Sequence, residues 1–570
     1  MYQMSLVMMR SIRRTRSLSA LLASVIAVAG LYACTPADDT SADAAASADA
    51  GYADAGDGGH EEQLGAVNFE ISCSPEAQEE FERGVALLHH MMYAESRAQF
   101  EALAQSEPDC GMAHWGVAMT LFQPLWPTRP SAEDLMRGYE QVQLAKSAGD
   151  LSERERLFIE AAEGFYRDPE SAAWPIRLDR FAVGMTKVHE AYPDDPEAGS
   201  LWALSQLATA ASADDPGAQR AAAADVLAAI NAEEPTHPGS VHYTIHANDV
   251  DGRAELTVDI TRSYDDIAPA VPHALHMPTH IFVRLGEWDE VIEWNRRSAD
   301  AALEHPAGEY VSHHFPHAID YLEYAYLQKA DDEAAMSAID ELETKSPYQE
   351  TFVSAFHLAS TPARYRVELR QWEEAAQLEA RQPESFPWER FPATEAITWF
   401  ARGLGAARSG DAAGAWQAEG RLTELRDTVD AQGEAYWAKQ VEIQRMAVEA
   451  WAQLAEADRD VALRTMIAAA ELEATTEKHP ITPGALQPAY ELLGDMYMEL
   501  DRPGDALAAY ERSLEMWPRR FNSMIGAARA ARRAGQSEVA GAYYAELLEL
   551  ATDSSGRAAV QEAREYTATG

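Results

Sequence analysis

Residues 490–518 read YELLGDMYMELDRPGDALAAYERSLEMWP, and this stretch decides the fold class of the chain. Apolar residues recur at helical spacing on both sides of a short Asp-Arg-Pro-Gly turn, so we expect two packed helices here. Large residues of the first helix should fill the holes left by the small Gly494 and Ala506, where the two helices touch closely. Pro518 should end the second helix, because a proline cannot continue it.

The spacing of this unit repeats along the chain. A shift of 34 residues (528 − 494 = 34) lands on Ala528, Ala540 and Tyr544, so the next unit is in register. Weaker copies lie upstream. The first repeat is marked by Gly84, Phe100, Leu103 and Pro108, and a later one by Trp399, Gly403, Gly410, Ala415 and Leu422. In the middle, one unit is marked by Gly252 and Pro269, and the next by Leu275, Phe282 and Gly286. Residues 125–235 are helical but irregular. At 570 residues the chain exceeds single-core size, which fits a repeat array.

These residues also carry a family resemblance. Seven positions match the tetratricopeptide pattern W-x2-L-G-x2-Y…A-x3-F…P, with tyrosine in place of tryptophan and phenylalanine: Tyr490, Leu493, Gly494, Tyr497, Ala506, Tyr510 and Pro518. The chain therefore resembles exported bacterial tetratricopeptide-repeat (TPR) lipoproteins. The resemblance implies an all-α, TPR-type α-solenoid over residues 69–568, a right-handed superhelix of antiparallel helix pairs whose most regular repeats span 487–554. It says little about chemistry, since such repeats serve many functions.

The first 33 residues read as an export signal. Four arginines between positions 10 and 16 precede an apolar stretch, residues 18–30, that is too short to span a bilayer comfortably. The following Leu31-Tyr32-Ala33-Cys34 resembles a lipobox, in which the cysteine receives the lipid. We expect lipidation at Cys34 and anchoring to the outer membrane, on its periplasmic or cell-surface face, because the next residue is not an aspartate retention signal. An ordinary signal peptide with a chance cysteine is the alternative.

Residues 34–68 are mostly Ala, Asp, Gly and Ser, and they predict a flexible acidic tether that cannot bury enough surface to fold. The whole chain is acidic as well, with 46 Lys+Arg against 93 Asp+Glu and a formal net charge of −47. Such a surface repels phosphate backbones, so nucleic-acid binding is excluded as a function class. Contact with a membrane is expected through the lipid anchor only.

Two further cysteines fit an oxidising compartment. Cys73 and Cys110 each fall just before the first helix of consecutive repeats in the 34-residue register. This places them at the same end of neighbouring helices, where a disulfide is geometrically plausible. A pair of buried free thiols is the alternative.

Histidines are concentrated in the repeats at 237–330. Ten of the 17 histidines fall between positions 237 and 317. Three separations equal the repeat length: 276 − 242 = 34, 280 − 246 = 34 and 314 − 280 = 34. Histidines therefore recur at equivalent positions in three successive repeats. Within a repeat, His242 and His246, like His276 and His280, are four residues apart and so share one helix face.

The repeat register predicts where these side chains point. Taking Leu275 as the fourth residue of its repeat, His273, His276 and His280 are the second, fifth and ninth, which face the concave groove rather than the neighbouring helix. Imidazoles from adjacent repeats can then converge on one transition metal, and imidazole-only ligation suits zinc, copper or iron. The candidate ligands are His242, His246, His273, His276, His280, His314 and His317, with Glu309, Tyr310, Asp320 and Glu323 as possible oxygen ligands or supporting partners. The alternative is that each histidine is a half-buried structural residue, and His237, His273 and His313 are the most obvious structural candidates.

Three functions remain open at this stage. The first is a membrane-anchored scaffold that binds a divalent transition metal in its groove. The second is a metal-dependent enzyme that uses the same histidines, with an open coordination position that activates water or dioxygen. The third is an interaction scaffold without metal, whose groove takes a protein or peptide ligand. No phosphate-binding loop, nucleophile elbow or CxxC pair points to another chemistry, and no catalytic residue can be named.

Overall fold

The computed structural model of the protein describes residues 63–569. The predicted signal peptide, Cys34 and most of the tether lie outside the described residues. Residues 63–68, which the composition assigned to the tether, lie against the helical part. Leu64 is buried, and the backbone N–H of Ala66 donates to the carbonyl of Thr236 at 3.0 Å. Ordered packing therefore begins before the first helix.

The described residues are almost entirely helical. The first third contains α1 (Pro75–His89), α2 (Tyr93–Ser106), α3 (Gly111–Thr120), α4 (Ala132–Ser147), α5 (Glu153–Tyr166), α6 (Trp174–Ala191), α7 (Pro196–Thr209) and α8 (Pro216–Glu233). The middle contains α9 (Pro238–Asn248), α10 (Val258–Arg262), α11 (Tyr264–Ile267), α12 (Pro272–His276), α13 (Pro278–Leu285), α14 (Trp288–Glu304), α15 (His314–Gln328), α16 (Asp332–Glu343), α17 (Phe352–Glu368) and α18 (Trp372–Ala376).

The last third contains α19 (Pro392–Arg408), α20 (Ala412–Ala431), α21 (Ala435–Ala455), α22 (Arg459–Glu473), α23 (Ala489–Glu499), α24 (Pro503–Met516), α25 (Phe521–Arg533), α26 (Ser537–Leu550) and α27 (Ala558–Thr569). Three short 3₁₀ turns and two isolated bridges complete the regular structure of residues 63–569. The predicted all-α fold class is therefore confirmed.

Successive helices form pairs, and the first helix of each pair stacks on the first helix of the next. Contacts join α1 to α3, α3 to α5 and α7 to α9 in the first half, and α15, α17, α19, α21, α23 and α25 in order in the second. This is the solenoid arrangement expected of TPR-type units. Residues 125–235, which are irregular in sequence, form α4 to α8 and continue the same pairing.

The small residues of the motif admit an aromatic ring. A side chain on Gly494 of α23 would meet the ring of Tyr510 at 2.7 Å, and Gly526 of α25 closes on the same ring from the other side. The ring thus comes from the second helix of the pair, not from the first helix as we expected. Phe100 of α2 lies in the same way between Gly84 and Gly116.

Replacing Gly526 with alanine should destabilise the C-terminal repeats. The added methyl group would overlap the Tyr510 ring, and overpacking of this kind costs about 1–3 kcal/mol. This exceeds the gain of up to about 1 kcal/mol that alanine brings inside a helix. Chemical denaturation followed by circular dichroism measures the change. Gly504→Ala in α24 is the control, because nothing lies within 4 Å of its added methyl group. A Gly526→Ala protein as stable as this control would contradict the packing described.

A buried aspartate ties α23 to two other first helices. The carboxylate of Asp495 accepts from Arg370, just after α17, at 2.6 Å and from Arg408 of α19 at 3.2 Å. The hydroxyl of Tyr510 also donates to it at 2.7 Å. Burial by itself would raise the pKa of Asp495, but the two arginines and these hydrogen bonds lower the pKa from 3.8 to about 2.

Asp495→Asn should therefore lower the free energy of unfolding by roughly 2 kcal/mol near neutral pH. Because the pKa is depressed in the folded state, this stabilisation is present above the unfolded pKa of 3.8 and is lost as the pH falls towards about 2. The gap between wild type and variant should accordingly close in that pH range. Urea denaturation at neutral and acidic pH measures it, with Asp501→Asn at an exposed ion pair as the control. A gap that does not change with pH would contradict this assignment.

Cys73 and Cys110 form a disulfide with a Cα–Cα distance of 5.4 Å. Cys73 lies two residues before α1, and Cys110 is the residue before α3. The bridge therefore links the starts of two consecutive first helices. No helix among residues 63–569 is long and apolar enough to cross a bilayer.

Candidate metal centre

Four successive first helices bring the histidines together. They contribute His242 and His246 from α9, His273, His276 and His280 from α12 and α13, His314 and His317 from α15, and His357 from α17. Every one of these residues is buried, with at most 9% of its surface exposed. We expected them to face the concave groove, and they do share one face of the first helices, but that face is not open to solvent. The histidine face of the first helices is covered by other parts of the same chain.

Two segments provide this cover. Trp126, in the connection after α3, lies with its ring 5.1 Å from that of His273 and 6.0 Å from that of His317. Residues 474–488, between α22 and α23, form a second cover that we call the strap. The hydroxyl of Tyr321 donates to the carbonyl of Pro480 in the strap at 2.7 Å. A peptide partner would therefore find the histidine face already occupied.

Ligand-type atoms converge in three places among the described residues, within 4.8 Å of one another in each. Triad I consists of His276, His280 and His317. Triad II consists of His242, His246 and His273. A third group, which we call the glutamate-bridged group, consists of His89, His237 and Glu197. The hydrogen bonds of these groups decide which of them can accept a metal.

In triad I, two imidazoles present lone pairs to each other. Nδ1–H of His276 donates to Oδ1 of Asn295 at 2.7 Å, and the amide of Asn295 is oriented by its own bond to the Val291 carbonyl. Nδ1–H of His280 donates to Asp249 at 3.1 Å. The two Nε2 atoms, 3.0 Å apart, are therefore both unprotonated in the neutral rings. Two lone pairs at this distance repel unless a proton or a metal ion lies between them.

The third imidazole of triad I is oriented by a chain of hydrogen bonds. Nδ1 of His357 donates to Asp320 at 2.8 Å, so Nε2 of His357 is an acceptor. Nδ1–H of His317 donates to that Nε2 at 2.8 Å. Nε2 of His317 is then the atom left for the triad. All three rings thus donate through Nδ1 to a buried acceptor, which is how proteins fix histidine ligands of metals.

Burial keeps the rings of triad I neutral. Burial lowers the pKa of His276 and of His317 well below 6.5. Burial also lowers the pKa of His280, although Asp249 acts in the opposite direction. Asp249 itself is paired with Arg284 at 2.8 Å and with Lys478 of the strap at 3.3 Å. Its negative charge is thus already balanced, which leaves little to stabilise an imidazolium.

Triad II contains ring nitrogens without hydrogen-bond partners. Nδ1–H of His242 donates to the carbonyl of His89 at 2.5 Å, so its Nε2 carries a free lone pair. That atom, Nε2 of His246 and both ring nitrogens of His273 are buried and make no hydrogen bond. A buried polar atom left in this state costs about 1–3 kcal/mol. Burial lowers the pKa of His246 to about 3, so this ring is neutral as well.

The glutamate-bridged group, in contrast, is fully hydrogen-bonded. Glu197 accepts from Nε2 of His89 at 2.7 Å and from Nε2 of His237 at 3.0 Å. Nδ1 of His89 accepts from the hydroxyl of Tyr243, and Nδ1 of His237 accepts from the backbone N–H of Ser240. No ring nitrogen of this group is left for a metal. His237 caps the first turn of α9, so its structural interpretation fits.

The other sequence candidates fall into different places. His314 belongs to neither triad, and its ring lies 5.2 Å from that of His273 with Nδ1 unpartnered. Asp320 orients His357 rather than pointing at a triad. Glu323 is buried near Arg364, at 3.9 Å. Glu309 and Tyr310 precede α15 in a turn, where Glu309 is exposed and Tyr310 half-buried.

Several residues of the centre escaped the sequence analysis. Asn295 of α14, His357 of α17 and Trp126 lie outside the 34-residue histidine spacing, so the repeat register gave no signal for them. Asp249 follows His246 by three residues, and a carboxylate so close to the histidine pair was a signal that could have been used. Lys478 is separated from Asp249 by 229 positions, and only the folded chain brings them together.

Comparisons with known proteins give no family for this chain. No family model matches it, and neither does any curated protein. Among solved structures, the chain is similar to the crystal structure of the APC/C hetero-tetramer Cut9–Hcn1, with 11% sequence identity, a TM-score of 0.29 and coverage of 86% of this chain and 89% of that chain. A likeness at that TM-score and identity indicates nothing about the function of this chain.

Proposed function

We propose that this protein is a TPR-type helical scaffold that binds a divalent transition metal, zinc, copper or iron, on His276, His280 and His317. The observation that carries the proposal is the orientation of the three imidazoles. Each donates its Nδ1–H to a buried acceptor, which directs an unprotonated Nε2 towards the other two. A metal ion is the ligand that such a set of three lone pairs accepts.

The distances support a metal ion. Zinc–nitrogen bonds of about 2.0–2.1 Å place two ligand nitrogens roughly 3.0–3.4 Å apart, depending on the bond angle. The 3.0 Å between Nε2 of His276 and Nε2 of His280 falls at the short end of this range. A shared proton is the competing occupant of this space. It would create an imidazolium in a buried site whose nearest carboxylate is already paired with an arginine and a lysine.

The burial of triad I favours binding over turnover. Its three side chains are at most 2% exposed, and the strap and Trp126 cover them. A substrate would have to displace part of the fold to reach the ion. A metal-dependent enzyme that uses the same histidines is therefore the alternative function of this site. A peptide or protein partner is expected on other surfaces of the helical array.

Metal analysis tests the proposal. Protein purified without a histidine tag and equilibrated with zinc or copper should retain metal in triad I, measured by mass spectrometry after dialysis. His276→Gln/His280→Gln should bind one ion fewer than wild type, because two of the three ligands are lost. His90→Gln is the matched control, since His90 is fully buried but bonded through both nitrogens to Tyr264 and Leu64. Less than about a tenth of an equivalent in wild type after reconstitution would end the metal proposal.

We also propose that the chain is exported and anchored to the outer membrane through a lipid on Cys34. The proposal rests on the basic, apolar and lipobox-like segments that precede Cys34, and on the acidic stretch after it that would serve as a tether. In a bacterial host, wild type should sediment with membranes and incorporate labelled fatty acid. Cys34→Ala should do neither, whereas Thr35→Ala should behave as wild type. A fatty-acid label that persists in Cys34→Ala would contradict the assignment.

A further inference from the structure

Triad II, like triad I, combines a histidine pair four residues apart with one histidine of the next first helix, and it lies beside triad I. We infer that His242, His246 and His273 bind a second transition-metal ion, so that the protein carries a pair of neighbouring ions held by six imidazoles. The inference rests on the proposed function in one respect, since the second ion has a neighbour only if triad I binds the first. Its ligands, however, belong to triad II alone.

The repeat architecture produces the histidine pair of each triad at equivalent positions, whereas the third ligands, His273 and His317, lie at different positions of their repeats. Triad I combines a histidine pair four residues apart with one histidine from the next first helix, namely His276 and His280 with His317 of α15. Triad II combines His242 and His246 of α9 with His273 of α12. The two pairs are related by the 34-residue repeat. In both triads, the stacking of first helices brings the third imidazole from the next first helix up to the pair.

The nitrogens of triad II point to a cation as their ligand. Nε2 of His242, Nε2 of His246 and both nitrogens of His273 are buried without a hydrogen-bond partner. The Nδ1 bond of His242 to the His89 carbonyl leaves its Nε2 as an unprotonated acceptor. Nearby donors do not satisfy these atoms, because the indole N–H of Trp126 is directed to the sulfur of Met91. A transition metal meets the requirement of all three rings together.

The glutamate-bridged group shows that buried histidines of this chain are not left unpaired in general. Every ring nitrogen of His89 and His237 has a partner, and so does every ring nitrogen of His90. Among the described residues, buried imidazole nitrogens without a hydrogen-bond partner occur in triad II, in the adjoining His313 and His314, and in the half-buried His189. Triad II is the group in which three such imidazoles also bring ligand atoms within 4.8 Å of one another.

The two triads are in ring contact. The rings of His246 and His280 are 5.9 Å apart between centroids, and those of His273 and His276 are 6.1 Å apart. Neighbouring first helices separated by roughly 8–10 Å set this spacing. Ions bound to both triads would therefore be close enough to sense each other, while each keeps its own three ligands. Imidazole ligands suit zinc, copper and iron, and among these divalent metals copper has the highest affinity for such a site.

Stoichiometry tests the inference. Zinc is added alone to tag-free protein, and bound metal per chain is measured after dialysis for wild type, for His242→Gln/His246→Gln, for His276→Gln/His280→Gln and for the control His90→Gln. The expected values are two ions for wild type and control, and one ion for each double variant. Helix content by circular dichroism checks that every variant is folded. If the triad II double variant does not fold, His246→Gln alone takes its place, because His246 is the most exposed of the six ligands.

The outcomes separate the two claims. One ion in wild type that survives in the triad II variant and disappears in the triad I variant would overturn the second site and leave the proposed function standing. One ion that disappears in both variants would show a single shared ion and would also overturn the second site. No bound zinc or copper in wild type would overturn both claims.

The distance between the two ions can be tested separately, by electron paramagnetic resonance. With copper as the probe, the electron paramagnetic resonance spectrum of wild type should be broadened by interaction between two ions within about 10 Å, as adjacent helices require. Either double variant should give the narrow spectrum of an isolated copper ion. Two bound ions with an unbroadened spectrum would contradict the pairing of the sites.

Discussion

Close stacking of successive first helices is the constraint on which the rest of the structure depends. At both ends of the array, this approach is made possible by glycines that admit an aromatic ring, as Phe100 does near the start and Tyr510 near the end. In the middle of the array, the same stacking brings imidazoles of neighbouring first helices into contact. The rings of His276 and His317, for instance, are 4.1 Å apart between centroids. The interface that elsewhere only holds repeats together thereby becomes a place where ligand atoms of different repeats meet.

This placement has an electrostatic consequence. Imidazoles packed between helices lose their hydration, and burial lowers the pKa of each triad ring, so the rings remain neutral near neutral pH. The nearby carboxylates do not reverse this, because Asp249 is paired with Arg284 and Lys478, and Asp320 is paired with Arg364 at 3.1 Å. Neutral rings are the protonation state that a metal needs, and in triad I the Nδ1 hydrogen bonds also fix the tautomer, so each Nε2 is free to bind an ion.

The sequence predicted what depends on local spacing. The glycine and aromatic positions around Tyr510 identified the helix pair, and the 34-residue offset identified both histidine pairs. The sequence could not predict the partners that fall outside this histidine spacing. His357 falls outside the offset, Asn295 lies on a second helix, and Trp126 lies in a connection. The cover over the histidine face was not predicted for the same reason, since a repeat register describes contacts between neighbours and contains nothing about a strap formed by residues 474–488.

The strap connects triad I with the C-terminal repeats, which begin at α23. It lies directly before α23, and its Lys478 contacts Asp249, which in turn holds His280 in place. Arg364, the partner of Asp320, also donates to the strap carbonyl of Gly484 at 3.3 Å. Displacement of the strap would therefore disturb the orientation of two of the three triad I ligands. A ligand that binds only when the strap is in place stabilises that state by about 2.7 kcal/mol, if the ligand is present at a hundred times its dissociation constant. By the same linkage, a metal ion in triad I would stabilise the contact between the strap and the middle repeats, although no strap residue is itself one of the three ligands.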